Sequence, residues 1–321
     1  MAVYTHVSSD ALREFLKAYE IGEVLAFKGI AEGVENSNYF LQTEKGRFIL
    51  TLYEKRVQEK DIPFFLALIT HLCEHDFPCP GLIADKNGRV QGVLEGRPAV
   101  LMQFIEGISV HTGSPKHCEQ VGNVMARLHL ASQGFSPVRA NALGMSSWRK
   151  LLQVCERKLH AYPHDVGDEL HAVMDTLEKN WREDLPGGII HADLFPDNVL
   201  FRAGKLEGVI DFYFACNDSL AYDIAVCMNA WCFTPEWDFV PDNARALLDG
   251  YQQVRPLEKD EIDALPVLCH GAAMRFALTR LHDLINHVDG SMVSPKDPME
   301  YLVKLRFHGG INNAEDYGLN L

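Results

Sequence analysis

Four polar residues of types that can carry out chemistry lie among short apolar runs in the segment from 189 to 214: His191, Asp193, Asn198 and Asp211. A carboxylate within hydrogen-bond reach of a hydroxyl group can orient that group and accept its proton. A second carboxylate and an amide oxygen can hold magnesium against nucleotide phosphates, because magnesium prefers oxygen ligands. The four residues therefore predict transfer of the γ-phosphoryl group of ATP to a hydroxyl, a reaction that depends on positioning and charge neutralisation.

Each of the four residues has a separate predicted role. Asp193 is predicted to orient the acceptor hydroxyl and to take its proton, and His191 to brace the catalytic loop rather than to react. Asn198 and Asp211 are the predicted magnesium ligands. The alternative reading treats all four as ordinary cap and turn residues. We disfavour it because a fixed set of residue types with apolar flanks seldom recurs by chance.

The elements predicted around this segment divide the chain into two lobes. Residues 1–104 begin with an amphipathic helix, continue as short β-like runs and include a helix that starts near Asp61, so a sheet-based lobe is predicted. Residues 105–321 are mostly helical by pattern and predict a second lobe. The turn-like segment Ile105-Glu106-Gly107 is the predicted hinge. The predicted fold class is α+β.

Composition favours a folded protein whose partners are small molecules. Of 321 residues, 47% are hydrophobic and 23% are charged, which provides enough apolar surface to offset chain entropy. The formal net charge of −14 argues against a nucleic-acid partner, because phosphate-backbone binding needs clustered cations. The amino terminus has no continuous apolar run, and no later stretch reaches about 18 apolar residues, so we predict a cytoplasmic protein without a membrane segment.

Several motifs resemble those of the aminoglycoside phosphotransferase and choline kinase superfamily. His191–Asn198 and Ile210–Phe212 resemble its catalytic loop and metal-binding motif, Val100–Gly107 resembles its hinge, and Ala221–Ala225 resembles the acidic helix start after the metal motif. Their order matches along nearly the whole chain. The resemblance implies a protein-kinase-like two-lobed fold that uses ATP and Mg²⁺, with an antiparallel-sheet nucleotide-binding lobe and a mainly helical catalytic and substrate-binding lobe.

Within that superfamily, further segments look like the homoserine kinase branch: Phe48–Glu54, Ile62–Leu68, His191–Phe201, Tyr222–Trp231 and Met274–Phe276. This likeness implies phosphorylation of the side-chain hydroxyl of L-homoserine, a step toward threonine. The alternatives are another small-molecule kinase of the superfamily, acting on choline, ethanolamine, methylthioribose or an aminoglycoside, or a catalytically silent binding protein. The joint presence of Asp193, Asn198 and Asp211 counts against silence.

The predicted ATP contacts of the first lobe come from a loop and from the hinge. The loop Gly29–Asn38 lies between two predicted strands, where a phosphate-covering loop is expected, although glycine and asparagine also form ordinary hairpin loops. Thr51 stands where related kinases present a phosphate-binding lysine, so the replacement for that lysine is open. The predicted contacts are Asn36, Ser37, Asn38, Gln103 and Ile105.

The acceptor pocket is assigned mainly by the family likeness. An amino acid acceptor needs a partner for its carboxylate, and Arg275 and Arg280 lie on an apolar helical segment where they could supply it. A core-bracing arginine is an equally open reading at both positions. Asp223 and Trp231 complete the predicted substrate residues, although an aromatic residue at helical spacing more often belongs to the core. Oligomeric state is left open.

Overall fold

The N-terminal part of the protein is an antiparallel sheet with five strands. The computed structural model describes residues 5–30, 36–54, 57–159, 165–286 and 296–319. The strands are β1 (Val24–Gly29), β2 (Asn36–Thr43), β3 (Gly46–Tyr53), β4 (Gln91–Leu94) and β5 (Arg97–Gln103), in the spatial order β1-β2-β3-β5-β4. The chain beyond the sheet is mainly helical, so the predicted α+β class is confirmed. The predicted loop up to Asn38 is wrong at its end, because β2 already begins at Asn36; residues 31–35 lie outside the described ranges.

Two helices cover the two faces of the sheet. Side chains of a strand alternate between faces, so consecutive residues of β3 pack into different clusters. Leu50 is buried with Leu12 of α1 (Ser9–Leu16), whereas Tyr53 is buried on the opposite face with residues of α2 (Ile62–Glu74). Both helices were predicted from the apolar spacing of the sequence. The helix α2 therefore lies against the side of β3 that carries Thr51 and Tyr53.

The C-terminal part is built around one almost fully buried helix. The helices are α3 (Pro115–Ala131), α4 (Met145–Leu159), α5 (Asp165–Asn180), α6 (Leu220–Trp231), α7 (Pro241–Gln252), α8 (Lys259–Ile285) and α9 (Met299–Gly309). The buried helix is α6, which contacts α3, α7 and α8. Glycine is needed where α3 meets α7, because a Cβ atom on Gly122 would lie 1.9 Å from the carbonyl oxygen of Leu247.

Short strands carry the polar residues predicted to react. The antiparallel pair β6 (Gly187–Ile190) and β9 (Cys216–Ser219) lies beside the antiparallel hairpin of β7 (Val199–Arg202) and β8 (Lys205–Val209). The loop from β6 to β7 contains Asp193, and the segment from β8 to β9 contains Asp211. Each predicted catalytic residue therefore lies in a connection whose two ends are fixed by strand pairing.

Within the described ranges, none of the helices has the length and apolar character that crossing a bilayer requires. The proposed division of the chain after residue 104 falls directly beyond β5, and it stays a prediction.

A largely buried histidine of α8 makes stability depend on pH. The Nε2 atom of His270 is buried without a hydrogen-bond partner among the described residues, and burial lowers the pKa of His270 to about 4. Its ordinary pKa is near 6.5, so the unfolded chain takes up a proton at a higher pH than the folded chain. The stabilising effect is fully present above pH 6.5 and is lost as pH falls toward 4.

We expect the change His270→Gln to flatten this pH dependence, because glutamine does not titrate. Between pH 7.5 and pH 5.0, His270 should account for a loss of about 2 kcal/mol in the free energy of unfolding. Urea unfolding at the two pH values measures the difference for the parent protein and the variant. The exposed histidine in His6→Gln provides the control, and an unchanged pH dependence in His270→Gln would contradict the assignment.

Candidate active site

The loop that carries Asp193 is held at its start by a buried carboxylate. The backbone amides of His191 and Ala192 donate to the two carboxylate oxygens of Asp223, at 2.9 and 2.8 Å. Ala192 has a φ of 62°, in the left-handed region, so the chain reverses sharply there. These contacts place Asp193 beyond the reversal, with a partly exposed side chain.

Asp223 remains ionised although it is fully buried. Burial raises the pKa of its carboxyl group, but the hydrogen bond and electrostatic attraction of His129, followed by the electrostatic effect and backbone amide of His191, hold the pKa below its ordinary value. The Nε2 atom of His129 lies 3.2 Å from a carboxylate oxygen of Asp223, and its Nδ1 atom lies 2.8 Å from the Tyr251 hydroxyl. The sequence motif around Asp223 signalled an important residue but not this structural contact.

Asn198 joins the two segments that carry the predicted reacting groups. Its Nδ2 atom donates to the carbonyl oxygen of Asp193 at 2.8 Å and to a carboxylate oxygen of the same residue at 3.3 Å. The backbone carbonyl oxygen of Asn198 accepts a hydrogen bond from the backbone amide of Ile210 at 3.0 Å, and Ile210 directly precedes Asp211. Because Nδ2 is held by Asp193, the amide oxygen of Asn198 points away from Asp193 and could bind a cation.

His191 makes the contact expected of a brace. Its Nε2 atom lies 3.1 Å from the carbonyl oxygen of Ile210, and its ring packs on Phe212 with 4.9 Å between centroids. Burial lowers the pKa of His191, so the neutral ring donates to that carbonyl. Asp211 has a φ of 67° and a ψ of 65°, which turns the chain between Ile210 and Phe212.

The donor atoms fit magnesium that arrives with a nucleotide. In the described part of the chain, no group of three or more His, Cys, Asp or Glu side chains could hold a metal ion. Asn198 and Asp211 offer an amide oxygen and a carboxylate, which are hard ligands, and Mg²⁺ commonly takes its other ligands from substrate phosphates and water. A site with so few protein ligands suits a metal ion shared with ATP.

Neutral side chains surround the position where related kinases have a lysine. The hydroxyl of Thr51 donates to the Asn38 side chain at 2.7 Å, and the rings of Tyr53 and Tyr213 meet edge to face with 5.3 Å between centroids. Burial raises the pKa of both phenols, and the nearby carboxylate of Asp211 raises it further. Among the described residues, the groups next to Thr51 are therefore an amide and phenol hydroxyls rather than an ammonium group.

The predicted phosphate contacts in β2 are bonded inside the protein. The hydroxyl of Ser37 donates to the Glu54 carboxylate at 2.7 Å and accepts from the Thr5 amide, and the side-chain oxygen of Asn36 accepts from the Glu54 amide. Asn36 and Ser37 are both buried. In this structure both side chains bind Glu54, and phosphate contact by Asn36 or Ser37 stays a prediction.

The predicted hinge contacts offer backbone rather than side-chain groups. The amide of Gln103 is bonded to the carbonyl oxygen of Gly81, whereas neither backbone group of Ile105 is engaged by another described residue. Glu106 forms ion pairs with Arg47 and with Arg202, the latter at 3.0 Å. The Ile105 peptide has no partner among the described residues, and its role in ATP binding stays a prediction.

Two of the predicted substrate residues lie behind the catalytic loop. Asp223 is fully buried and binds the loop amides, and the indole nitrogen of Trp231 donates to the carbonyl oxygen of Leu194 at 2.8 Å while the ring is 1% exposed. In this structure both side chains therefore bind the loop, and direct contact of either residue with an acceptor stays a prediction. Asp223 and Trp231 both belong to α6, and their polar side-chain atoms bond to the backbone of the loop. Both residues therefore stabilise the loop.

The two arginine candidates also have protein partners. Arg275 is buried, donates to the carbonyl oxygen of Ala192 at 2.6 Å and lies 4.5 Å from the centre of the Phe276 ring. Arg280 pairs with Glu300 at 2.6 Å. The core-bracing reading thus describes their positions in this structure, and carboxylate binding by either arginine stays a prediction.

The fold and the site define a phosphotransferase of kinase-like architecture. The chain belongs to the phosphotransferase enzyme family, whose model matches residues 26–257. It is 52% identical over 320 residues to a homoserine kinase of Parvibaculum lavamentivorans, covering 100% of both chains. It is 53% identical over 319 residues to a homoserine kinase of Nitrobacter hamburgensis, covering 99% of this chain and 98% of that one.

Solved structures share the fold at low sequence identity. An amicoumacin kinase in complex with AMP-PNP and Ca²⁺ matches with a TM-score of 0.70 and 15% identity, over 94% of this chain and 92% of that chain. A spectinomycin phosphotransferase in complex with ADP matches with a TM-score of 0.70 and 16% identity, over 98% of each chain. The two matches confirm the predicted protein-kinase-like fold.

We expect Asp193→Asn to remove most turnover while leaving nucleotide binding nearly unchanged. The amide keeps the shape of the side chain but cannot take a proton, and a general base typically contributes about 10²–10⁴-fold. Steady-state kinetics and AMP-PNP titration provide the two measurements. Asp197→Asn, an exposed change on the same loop, is the control. A variant that keeps more than about a tenth of kcat would contradict the role of Asp193.

The changes Asn198→Ala and Asp211→Ala should each raise the magnesium concentration needed for half-maximal turnover. The larger effect is expected for Asp211, because its side chain carries a formal negative charge. Magnesium titration at fixed ATP measures the effect, and Asp249→Ala, which removes an exposed carboxylate on α7, serves as control. Parent-like magnesium dependence in both variants would show that these residues are not the ligands, whatever the outcome for Asp193.

Proposed function

We propose that this chain transfers the γ-phosphoryl group of ATP to the side-chain hydroxyl of L-homoserine and releases ADP and O-phospho-L-homoserine, a step toward threonine. The observation that carries the proposal is the similarity to proteins named homoserine kinase at 52% and 53% identity along the full length of the chain. The arrangement of Asp193, Asn198 and Asp211 supports phosphoryl transfer, since it provides one base and two oxygen ligands at the same loop junction.

Asp193 acts on the acceptor in this proposal. Its carboxylate accepts a hydrogen bond from the homoserine hydroxyl, orients the oxygen toward the γ-phosphorus, and takes the proton as the new bond forms. Asn198 holds one carboxylate oxygen of Asp193, so the side chain is oriented before the acceptor binds. Asp223 keeps the loop in place by accepting hydrogen bonds from its amides. His191 connects the loop to the carbonyl oxygen of Ile210.

Asn198 and Asp211 hold the metal ion in this proposal. Bound Mg²⁺ supplies neutralisation of the charge on the β- and γ-phosphates, which lowers the repulsion felt by the attacking oxygen. The proposed nucleotide contacts are the residues near Thr51 in the first lobe, which we place at residues 1–104, and the backbone of Ile105 in the hinge directly after it. We place the catalytic and acceptor-binding lobe at 105–321. We also propose a cytoplasmic location, where ATP is available.

The acceptor pocket has to satisfy two charges as well as a hydroxyl group. L-Homoserine carries an ammonium and a carboxylate, and burying either charge without a partner is costly. A site that binds both groups should therefore reject analogues that lack one of them by about 10⁴-fold, whereas one additional methylene should cost only about 10–200-fold. This difference separates an amino acid kinase from a general amino-alcohol kinase.

We expect kcat/KM for L-homoserine to exceed that for 3-amino-1-propanol, which lacks the carboxylate, and that for 4-hydroxybutanoate, which lacks the ammonium, by at least about 10³-fold. L-5-Hydroxynorvaline, with one more methylene, is the matched control for size. A coupled ADP-release assay measures all four compounds beside choline, ethanolamine, methylthioribose and spectinomycin. Comparable values for homoserine and 3-amino-1-propanol, or a preference for any member of the second group, would refute the proposal.

A further inference from the structure

One arginine outside the predicted site connects the start of α2 with the segment beyond Asp211. Arg139 lies between α3 and α4. Its Nε atom donates to a carboxylate oxygen of Asp61 at 3.0 Å, and its Nη1 atom donates to the carbonyl oxygen of Ala215 at 3.0 Å. A single side chain thus binds both the sheet-covering helix and the chain just before β9.

The backbone of Arg139 is fixed to the same segment. Its amide donates to the side-chain oxygen of Asn217 at 2.8 Å, and its carbonyl oxygen accepts from the Asn217 amide at 2.7 Å. The guanidinium group lies 4.9 Å from the centre of the Phe65 ring of α2, and this ring meets Tyr213 edge to face at 5.9 Å. Arg139 therefore contacts both partners through several groups, so the connection is well defined in geometry.

The ion pair of Arg139 and Asp61 is less exposed to solvent than an ion pair on the protein surface. The side chains of Arg139 and Asp61 are 19% and 22% exposed, so the pair is screened less than an exposed one. Asp61 precedes α2 as its N-cap residue, yet its carboxylate makes no capping hydrogen bond. Its carboxylate binds Arg139 instead of a backbone amide at the start of α2.

The sequence of β3 gives this connection a function. In protein kinases, a lysine of the third strand pairs with a glutamate of the neighbouring helix, and that pair sets the helix relative to the metal-binding aspartate. Thr51 is neutral, so this residue of β3 does not form such a pair with α2. We infer that Arg139 is a positioning residue, which holds α2 against the segment after Asp211 so that the metal-binding carboxylate and the nucleotide-binding sheet keep their relative places.

This inference rests on the proposed role of Asp211, and the test separates the two. The variants are Arg139→Ala, Arg139→Lys, Asp61→Asn and the double change of Arg139→Ala with Asp61→Asn. Arg149→Ala is the matched control, because Arg149 also binds carboxylates, those of Asp175 and Glu178, but does so between α4 and α5. Each protein is measured for kcat, magnesium dependence, acceptor KM and affinity for Mg·AMP-PNP without acceptor.

We expect Arg139→Ala to lower kcat by about 10–100-fold, since misplacement of reacting groups by about 1 Å has effects of that size. It should weaken Mg·AMP-PNP binding and raise the magnesium requirement, while acceptor KM stays within about twofold. Arg139→Lys should recover part of the loss. When Arg139 is already replaced by alanine, adding Asp61→Asn should lower kcat by less than about twofold, because the effects of changes at two contacting residues do not add. Arg149→Ala should match the parent.

Three results would overturn the inference. One is a parent-like magnesium dependence and nucleotide affinity in Arg139→Ala. Another is full additivity of the Asp61 and Arg139 changes, and the third is an equal effect of Arg149→Ala, which would indicate a general loss of stability. If Arg139→Ala does not fold, Arg139→Lys and Asp61→Asn provide the same comparison. Because Mg·AMP-PNP binding needs no acceptor, failure of the homoserine proposal would leave this test intact, and a parent-like Asp211→Ala would identify a failure of the metal role alone.

Discussion

The bond between the buried Asp223 carboxylate and two consecutive loop amides is the contact on which the rest of the site depends. Ala192 has a left-handed conformation that costs energy for a residue with a Cβ atom, and the bonds to Asp223 offset this cost. Removal of the carboxylate would leave two buried amides without a hydrogen-bond partner, and each such amide lowers the free energy of unfolding by about 1–3 kcal/mol. The location of Asp193, and through Asn198 the spacing to Asp211, results from this one anchor.

The reacting residues could be predicted from the sequence because their geometry is local. Asp193 and Asn198 are close along the chain, and the apolar runs around them predict short strands whose ends lie near each other. The sheet and the helices α1 and α2 were equally accessible, since apolar periodicity marks them directly. Local patterns were therefore sufficient for the fold class, and they indicated the candidate catalytic loop.

The surroundings of the site could not be predicted, because they depend on long-range contacts. Asp223 and Trp231 lie on a helix whose residues are nearly all buried, so no amphipathic pattern showed which side chains face the loop and which face a pocket. The family likeness marks both residues as important and predicts that both contact the substrate. Arg139 gave no signal at all, because it lies in an irregular segment and its partners are 76 and 78 positions away. A motif identifies a residue that matters, but not the side of the loop on which it acts.

The hydroxyl of Thr51 has a further consequence for covalent labelling by nucleotide analogues. A nucleotide analogue that carries an acyl or sulfonyl group could transfer it to the amine of a lysine at this position of β3. In this protein the corresponding atom is a weakly nucleophilic alcohol, buried and already donating to Asn38. A nucleotide analogue of that kind would therefore bind without forming a bond to Thr51.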